Sequence, residues 1–392
     1  MKFKLKPGYF WALIIPALLT PCGINAQEGC VTPLNKNGLC VNIRECQPLV
    51  DLLRRRPLPS ETLDFLRNSQ CGFEGHNPKV CCESRPTTGE VPTTGTTGTP
   101  PTETSISNPP DVSTHSNLRL LSHDLCGPVT EQKIFGGNRT GVFDFPWMAL
   151  IAYDTGSRSR VYRCGGTLIN KRYILTAAHC VTSLPSGMTV SGARVGDHDI
   201  SRERDCDRDA SGFEVVCSER YQDFGIESVH YHPGYMNGKY KNDIALLRLD
   251  GDVDFRPQSV RPICLPIGLA ANLTQKKVVV TGWGTTELGR GSDILLKVQL
   301  SPVTTEECAA AYEGKAEIWY KQICAGGKRS MDSCHGDSGG PLQAPGIYNN
   351  RVRYIQYGIV SFGPKSCGTE GLPGVYTKLI YYTDWILNTI RE

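Results

Sequence analysis

Sixteen of the chain's seventeen cysteines lie beyond residue 26, and six crowd into residues 30–82 as C-x9-C-x5-C-x24-C-x9-C-C. A stretch that short cannot bury enough apolar surface to hold itself together, so disulfides must staple it. An even set of cysteines belongs to an oxidising compartment, where disulfides rather than a metal cluster are expected. The spacing leaves many connectivities open. The odd cysteine, Cys22, falls in a leader: Lys2, Lys4 and Lys6 precede an apolar run over 9–19 and small residues up to Ala26. That is the layout of a cleavable secretory signal, with an apolar run too short to span a bilayer. Residues 1–26 are therefore expected to be removed and the remainder secreted, with no membrane span.

Residues 83–125 are dominated by Thr, Pro, Ser and Gly, a composition that cannot offset the entropy of ordering a chain. They read as a linker, rich enough in Thr and Pro to suit O-glycosylation. Ahead of it, Leu49, Leu52, Leu53, Leu63 and Leu66 are spaced for short helices packed on the staples. Behind it, apolar runs over 148–152, 166–169, 278–281 and 358–362 alternate with Gly, Pro and Asn turns and read as strands. Tyr382, Trp385, Ile386 and Ile390 fall at helical spacing and predict a terminal helix. A formal net charge of +3 over 392 residues is too weak to argue for nucleic acid or an anionic membrane as partner.

Chemistry concentrates in three stretches. In Asp332-Ser333-Cys334-His335-Gly336-Asp337-Ser338-Gly339-Gly340-Pro341, the glycines let the backbone turn tightly enough to aim the N–H groups of Gly336 and Ser338 at one point. The charge of a tetrahedral intermediate would sit there. This is a layout for acyl transfer, with Ser338 as nucleophile. A serine hydroxyl needs a base, and His179 in Leu175-Thr176-Ala177-Ala178-His179-Cys180 fits that role. The base in turn needs a buried carboxylate to fix its tautomer, and Asp243 stands at the mouth of the apolar run 244–247.

The blocks TAAHC, DIALLRL and DSCHGDSGGP resemble the three signature blocks of the trypsin-like serine proteases, a likeness that covers residues 134–392. The resemblance implies an all-β fold, two antiparallel six-stranded β-barrels and a C-terminal helix. The active site would lie in the cleft, with His179 and Asp243 from the first barrel and Ser338 from the second. It implies an activation segment, residues 126–133, cut between Lys133 and Ile134 to free an α-amino group whose partner is Asp337. A buried carboxylate needs that counter-charge, so the precursor is expected to be a zymogen. Asp332 would lie at the base of a pocket for Arg or Lys, kept open by Gly363 and Gly374. Ser333 would add a hydroxyl that helps solvate lysine, and Ser361 would belong to the strand that pairs with substrate. Phe362 stands where Trp is more usual, and the effect of His335 at the rim is left open. Implied disulfides are Cys126 with Cys264, which keeps the N-terminal fragment attached, Cys164 with Cys180, Cys308 with Cys324, and Cys334 with Cys367.

The cysteine spacing of residues 30–82, ending in Cys81-Cys82, is similar to the clip domain of arthropod cascade proteases. That implies Cys30 with Cys81, Cys40 with Cys71 and Cys46 with Cys82; a generic disulfide-rich binding module is the alternative. The extra pair Cys206 and Cys217 follows a loop, 196–205, that resembles the calcium loop of clip proteases that activate prophenoloxidase or process the Toll ligand. Asp197, Asp199 and Asp205 would supply carboxylates and Arg202 a carbonyl oxygen to a structural Ca2+. Asp197 stands where that group often has Glu, Arg202 and Arg204 add positive charge, and a solvated charged loop is the alternative. No cofactor is required for the chemistry. Asn138 and Asn272 head glycosylation triplets. The expectation is a secreted zymogen endopeptidase of a haemolymph cascade, cutting a protein zymogen or cytokine precursor after Arg or Lys. An upstream protease would activate it and a serpin would restrain it. A catalytically dead clip-domain binding cofactor is argued against by the joint presence of His179, Asp243 and Ser338. A digestive trypsin needs neither the clip nor the linker.

Overall fold

The computed structural model describes residues 29–33, 37–46, 48–50, 65–66, 68–74, 77–83, 108–129, 140–156, 160–182, 184–286, 289–328, 334, 336–364 and 366–392. The leader, Leu52, Leu53, Leu63, Lys133, Ile134, Asn138, Asp332, Ser333 and His335 lie outside the described residues. The chain divides into two units, residues 1–101 and 102–392.

In the first unit, β1 (Gly29–Val31), β2 (Asn37–Asn42), β3 (Gln70–Glu74) and β4 (Asn77–Glu83) form one antiparallel sheet in the order β1-β2-β4-β3. Its buried apolar cluster holds only Cys46, Leu49 and Val80 among the described residues, too little to stabilise a fold by burial. Covalent ties supply the rest: Cys30–Cys81, Cys40–Cys71 and Cys46–Cys82 are all closed.

The second unit holds two sheets. The first is built from β5 (Met148–Asp154), β6 (Val161–Leu168), β7 (Tyr173–Thr176) and β8 (Thr189–Val195). A hairpin follows, β9 (Cys206–Arg208) and β10 (Glu214–Cys217), and then β11 (Gln222–Phe224), β12 (Ile226–Tyr231) and β13 (Ala245–Leu249) complete the sheet. The order is β11-β8-β5-β6-β7-β13-β12. Its two edge strands, β11 and β12, are separated in sequence by Gly225 alone, so the chain steps from one edge of the sheet to the other and the sheet closes. The seven hydrogen-bonded segments are thus a six-stranded barrel in which one strand changes partners halfway. Gly225 permits the step: its N–H donates to Asp250 Oδ1 over 3.0 Å, and an added Cβ would lie 2.5 Å from Asp250 Oδ2.

The second sheet repeats the device with β14 (Val278–Gly282), β15 (Leu296–Leu300), β16 (Pro302–Val303), β17 (Gln322–Gly326), β18 (Pro341–Tyr348), β19 (Arg351–Phe362) and β20 (Pro373–Lys378). The order is β15-β14-β18-β19-β20-β17-β16, and only Ser301 separates the two edges. Two helices flank the barrels, α1 (Thr305–Ala311), opened by a Thr304/Glu307 capping box, and α2 (Thr383–Thr389). Ile386, Leu387 and Ile390 of the α2 region join Leu175, Leu246 and Trp147 in one buried cluster, which docks the terminal helix on the first barrel. Buried polar bonds join the barrels to each other: Trp147 Nε1 donates to Gln343 Oε1 over 2.7 Å, and Thr167 Oγ1 to Gln356 Oε1 over 2.7 Å.

The expected linker is shorter than its composition suggested. Residues 108–125 belong to the second unit, with a 3-10 turn at Ser116–Leu120 and with Val112 and Leu121 buried. Asn117 Nδ2 donates to the carbonyls of Leu387 and Ile390, over 2.9 and 3.3 Å, at the end of α2. Averaging over the Thr/Pro-rich stretch hid four apolar side chains, Val112, Leu118, Leu120 and Leu121, whose burial offsets the cost of ordering.

Candidate active site

His179 sits in the 3-10 turn Ala178–Cys180 that ends β7. The Cys164–Cys180 bond ties this turn back to β6. Asp243 precedes β13 and is fully buried. Asn242 before it adopts φ +55°, a left-handed turn that Asn tolerates; its side chain donates to Gly234 O over 2.7 Å and accepts from the Tyr382 hydroxyl over 3.0 Å.

The Asp243 carboxylate is then spent completely. Oδ1 accepts the backbone N–H of His179 over 2.9 Å, and Oδ2 accepts His179 Nδ1 over 2.8 Å and the Ser361 hydroxyl over 2.6 Å. Thr377 Oγ1 donates to the Asp243 carbonyl over 2.7 Å. A carboxylate so placed fixes the neutral imidazole with its proton on Nδ1, which leaves Nε2 as the acceptor.

Ser338 follows β17 on the loop that leads into β18. Its carbonyl accepts the Gly165 N–H over 2.9 Å, and the Gly165 carbonyl accepts Thr176 Oγ1 over 2.9 Å. Gly339 N donates to Val360 O over 2.9 Å. The loop is thereby seated on β6, on the end of β7 that carries His179, and on β19. Gly339 has φ +80°, and a Cβ there would lie 2.2 Å from Thr176 Oγ1, so no other residue fits. Gly336 has φ +102°. Among the described residues, neither the Gly336 nor the Ser338 N–H is used as a donor.

Asp337, between them, accepts Gly284 N on Oδ1 over 2.9 Å and Cys334 N on Oδ2 over 2.8 Å. Burial pushes its carboxyl above the usual range, against the pull of those two bonds. The Cys334–Cys367 bond braces this loop, and Cys308–Cys324 joins α1 to β17.

Gly363 and Gly374 face each other: a Cβ built on Gly363 would lie 3.9 Å from Gly374 Cα. Beside them opens a cavity of about 780 Å³, walled by Tyr240, Tyr312 and Phe362. Ring contacts lead into it from His179, with centroids 5.9 Å apart for His179–Tyr240, 5.2 Å for Tyr240–Phe362 and 5.8 Å for Tyr312–Phe362.

The 196–205 loop gathers its three aspartates in burial. Arg194 Nη1 donates to Asp197 Oδ2 over 3.1 Å, and His198 N donates to Asp205 Oδ2 over 2.8 Å. The other oxygen of each, Asp197 Oδ1 and Asp205 Oδ1, is buried without a hydrogen-bond partner. Burial, with Asp205 nearby and Arg194 pulling the other way, pushes the Asp197 carboxyl up to about 6. Asp199 is used locally instead: Oδ1 accepts Ser201 N and Oγ, and Oδ2 pairs with Arg202 Nε at 3.3 Å. The loop ends in the Cys206–Cys217 hairpin. Asn272 is exposed.

Three partners escaped the sequence reading: Thr377, Arg194 and the N–H of Gly284. Ser361 was read there for the strand that pairs with substrate, and not as a donor to Asp243.

Residues 134–386 match the trypsin family model, and residues 30–82 match the regulatory CLIP domain of proteinases. Melanization protease 1 of Drosophila melanogaster is 38% identical, over 99% of this chain and 100% of that protein. Phenoloxidase-activating enzyme 1 of Spodoptera litura is also 38% identical, over 94% of this chain and 95% of that protein. The crystal structure of the Drosophila Grass clip serine protease of the Toll pathway superposes with a TM-score of 0.62 at 32% identity, covering 93% of this chain and 97% of that one. No helix among the described residues is long and apolar enough to cross a membrane. With its two closed barrels and a family match over most of its length, the chain belongs to the trypsin family of serine proteases and carries a clip domain ahead of the protease domain.

Proposed function

We propose that this chain is a secreted zymogen that, once cut, hydrolyses a protein after Arg or Lys within an extracellular immune cascade of the melanisation or Toll-ligand type. The observation that carries the catalytic part is the buried Asp243 carboxylate holding His179 by both its backbone and its ring. Ser338 Oγ attacks the scissile carbonyl carbon while His179 Nε2 takes its proton, and Asp243 stabilises the imidazolium that forms. The N–H groups of Gly336 and Ser338 receive the developing oxyanion. His179 then gives its proton to the leaving amine, and water releases the acyl group from Ser338 by the same steps in reverse order.

Specificity for Arg or Lys rests on the sequence position of Asp332, six residues before Ser338, with Ser333 beside it and the facing Gly363 and Gly374 leaving room for a long side chain. The switch is the cut between Lys133 and Ile134. The buried Asp337 carboxylate, held by two N–H groups and otherwise lacking a cation among the described residues, suits a newly made ammonium.

A calcium ion fits the 196–205 loop on one observation, the two buried carboxylate oxygens of Asp197 and Asp205 that nothing else satisfies. Bound there, it would neutralise the aspartates and order the loop, leaving the chemistry to Ser338 and its partners. Secretion is supported by the leader sequence and by the disulfides, the cascade by the named activities of the relatives, and restraint by a serpin by the same context. Incubating the activated enzyme with a prophenoloxidase-type zymogen, a cytokine precursor of the Toll type and a second protease zymogen, then sequencing new N-termini, identifies the substrate. Failure to cut any protein after Arg or Lys would refute the reading.

A further inference from the structure

The chain that leads away from the Lys133–Ile134 bond and the wall that holds Asp337 meet on one residue, His198. Its carbonyl accepts Trp283 Nε1 over 3.2 Å and Leu295 N over 2.9 Å. Trp283 stands between two glycines against which Asp337 is packed: a Cβ added at Gly282 or Gly284 would lie 2.1 or 2.5 Å from Asp337 Oδ1. The backbone that His198 holds is therefore the surface on which the Asp337 carboxylate rests. On its other side, His198 Nε2 lies 2.9 Å from the Thr140 carbonyl and 3.0 Å from Thr140 Oγ1. A carbonyl only accepts, and Thr140 Oγ1 spends its own proton on Leu295 O over 2.8 Å, so Nε2 carries the hydrogen and shares it between two acceptors.

Thr140 is buried and comes six residues after Ile134; among the described residues it is the nearest in sequence to the terminus that the cut would make. Behind it, Gly141 N donates to Asp144 Oδ2 over 3.1 Å, and Val142 N lies 3.3 Å from both carboxylate oxygens of Asp207. A tethered amine meets its partner at an effective concentration set by the length and freedom of its tether. Moving the anchor back from Thr140 to Val142 lengthens the tether too little to matter, because closure entropy grows only with the logarithm of length. Freeing the backbone of Thr140 matters more: it must be fixed again when the terminus inserts, at a cost of about tenfold in the equilibrium.

We propose that His198 is a positioning residue of the activation switch: its imidazole N–H fixes Thr140 so that the Ile134 ammonium is delivered to Asp337, while its carbonyl fixes the wall that receives it. The inference rests on the reading of the cut between Lys133 and Ile134 as the switch. Insertion needs the ammonium form, so the amine stays protonated to a pH raised by the logarithm of the insertion constant. Weakening the anchor tenfold lowers that pH by about one unit, with Ser338, His179 and Asp243 untouched.

The test uses the full chain cut on immobilised trypsin, with acetic anhydride as the probe of the Ile134 amine and mass spectrometry of its peptide as the readout. His198→Phe keeps a ring but loses the N–H. It is expected to raise the rate of Ile134 acetylation about tenfold and to move the alkaline limb of kcat for a lysine amide down by about one pH unit. His198→Gln places an amide N–H where the imidazole has Nε2–H and is expected to reverse most of both effects, which a general loss of stability would not do. Should His198→Phe fail to fold, Thr140→Val carries the comparison: it removes the bond to Leu295 and one acceptor of the imidazole, and acetylation is again expected to be faster than in wild type. Equal acetylation rates in wild type and the variants, or His198→Gln no better than His198→Phe, overturn the inference and leave the switch standing. Wild-type activity that survives complete acetylation of the Ile134 amine sinks the switch itself.

Discussion

Ser361, at the end of a strand of the second barrel, donates its hydroxyl over 2.6 Å to Oδ2 of Asp243, the same oxygen that accepts His179 Nδ1 in the first. The carboxylate is therefore aimed by both barrels at once. Any slip of one barrel against the other would turn the imidazole away from Ser338.

Removing the proposed nucleophile tests the centre of this arrangement. Ser338→Ala is expected to lower kcat on a lysine or arginine amide by several orders of magnitude, and Asp243→Asn by about 10⁴ through the wrong imidazole tautomer. Ser361→Ala takes away one of three bonds to the carboxylate and is expected to cost about tenfold in kcat with KM little changed. Steady-state kinetics of trypsin-activated variants decide between these outcomes, and equal kcat for wild type and Asp243→Asn would contradict the assignment.

The pocket assignment makes a qualitative prediction. Asp332→Ser is expected to abolish the preference for Arg and Lys, and Gly363→Val to block long side chains, because a Cβ at Gly363 already approaches the Gly374 backbone. Cleavage of a peptide library by each activated variant reads this directly. A wild type that cut best after Phe or Leu would show that the pocket is wrongly placed.

Calcium is expected to stabilise the chelator-treated protein by about 2.7 kcal/mol when present at a hundred times its dissociation constant, and so to raise its melting temperature. Asp197→Asn and Asp205→Asn, which neutralise the carboxylates with unsatisfied oxygens, should each weaken or abolish the effect. A calorimetric titration that detects no binding at millimolar calcium removes the site.

The proposed switch would have a pH signature. A pair between Asp337 and the Ile134 α-amino group made by the cut is expected to raise the pKa of that amine above its ordinary value of about 7.7 to 8.0. Its stabilisation is then fully present at and below neutral pH and is lost as pH rises through the raised value. Without a cation beside it, burial pushes the Asp337 carboxyl above the usual range, and an ammonium paired with it is expected to pull it back down. Activity of the cut enzyme should fall on the alkaline limb in step with acetylation of the Ile134 amine. Lys133→Gln should block trypsin-like activators, and Ile134→Ala should permit the cut while weakening insertion. Full activity in uncut Lys133→Gln protein would disprove the switch.

Asn117→Ala removes two bonds to carbonyls at the end of α2. The expected loss is about 1 to 2 kcal/mol, or about 2 to 4 °C in melting temperature for a domain of this size. Scanning calorimetry of the precursor checks it, and an unchanged transition would mean that the docked segment contributes nothing to stability.

The residues proposed for catalysis stand out in the sequence because each lies in a short run whose neighbours serve it locally: glycines around Ser338, a cysteine beside His179, apolar strand after Asp243. The hydroxyls of Ser361 and Thr377 that fix Asp243 do not, since they lie 118 and 134 residues away and meet it only when the barrels close. Nothing in a serine or threonine marks such a role. The bond from Arg194 to Asp223 is set by the pairing of β8 with β11, while its second partner, Asp197, is only three residues along the chain. The strands themselves were read in outline from apolar runs, but the closure at Gly225 and Ser301 depends on which strands are neighbours. The docked residues 108–125 were obscured by their composition.

The Cys126–Cys264 bond means that cutting after Lys133 releases no mass. Run on a gel without reductant, precursor and product would migrate as one band, and a preparation could pass from silent to active with nothing visible. A reducing lane, which frees the fragment ending at Lys133 from the one beginning at Ile134, would count the molecules that have been cut.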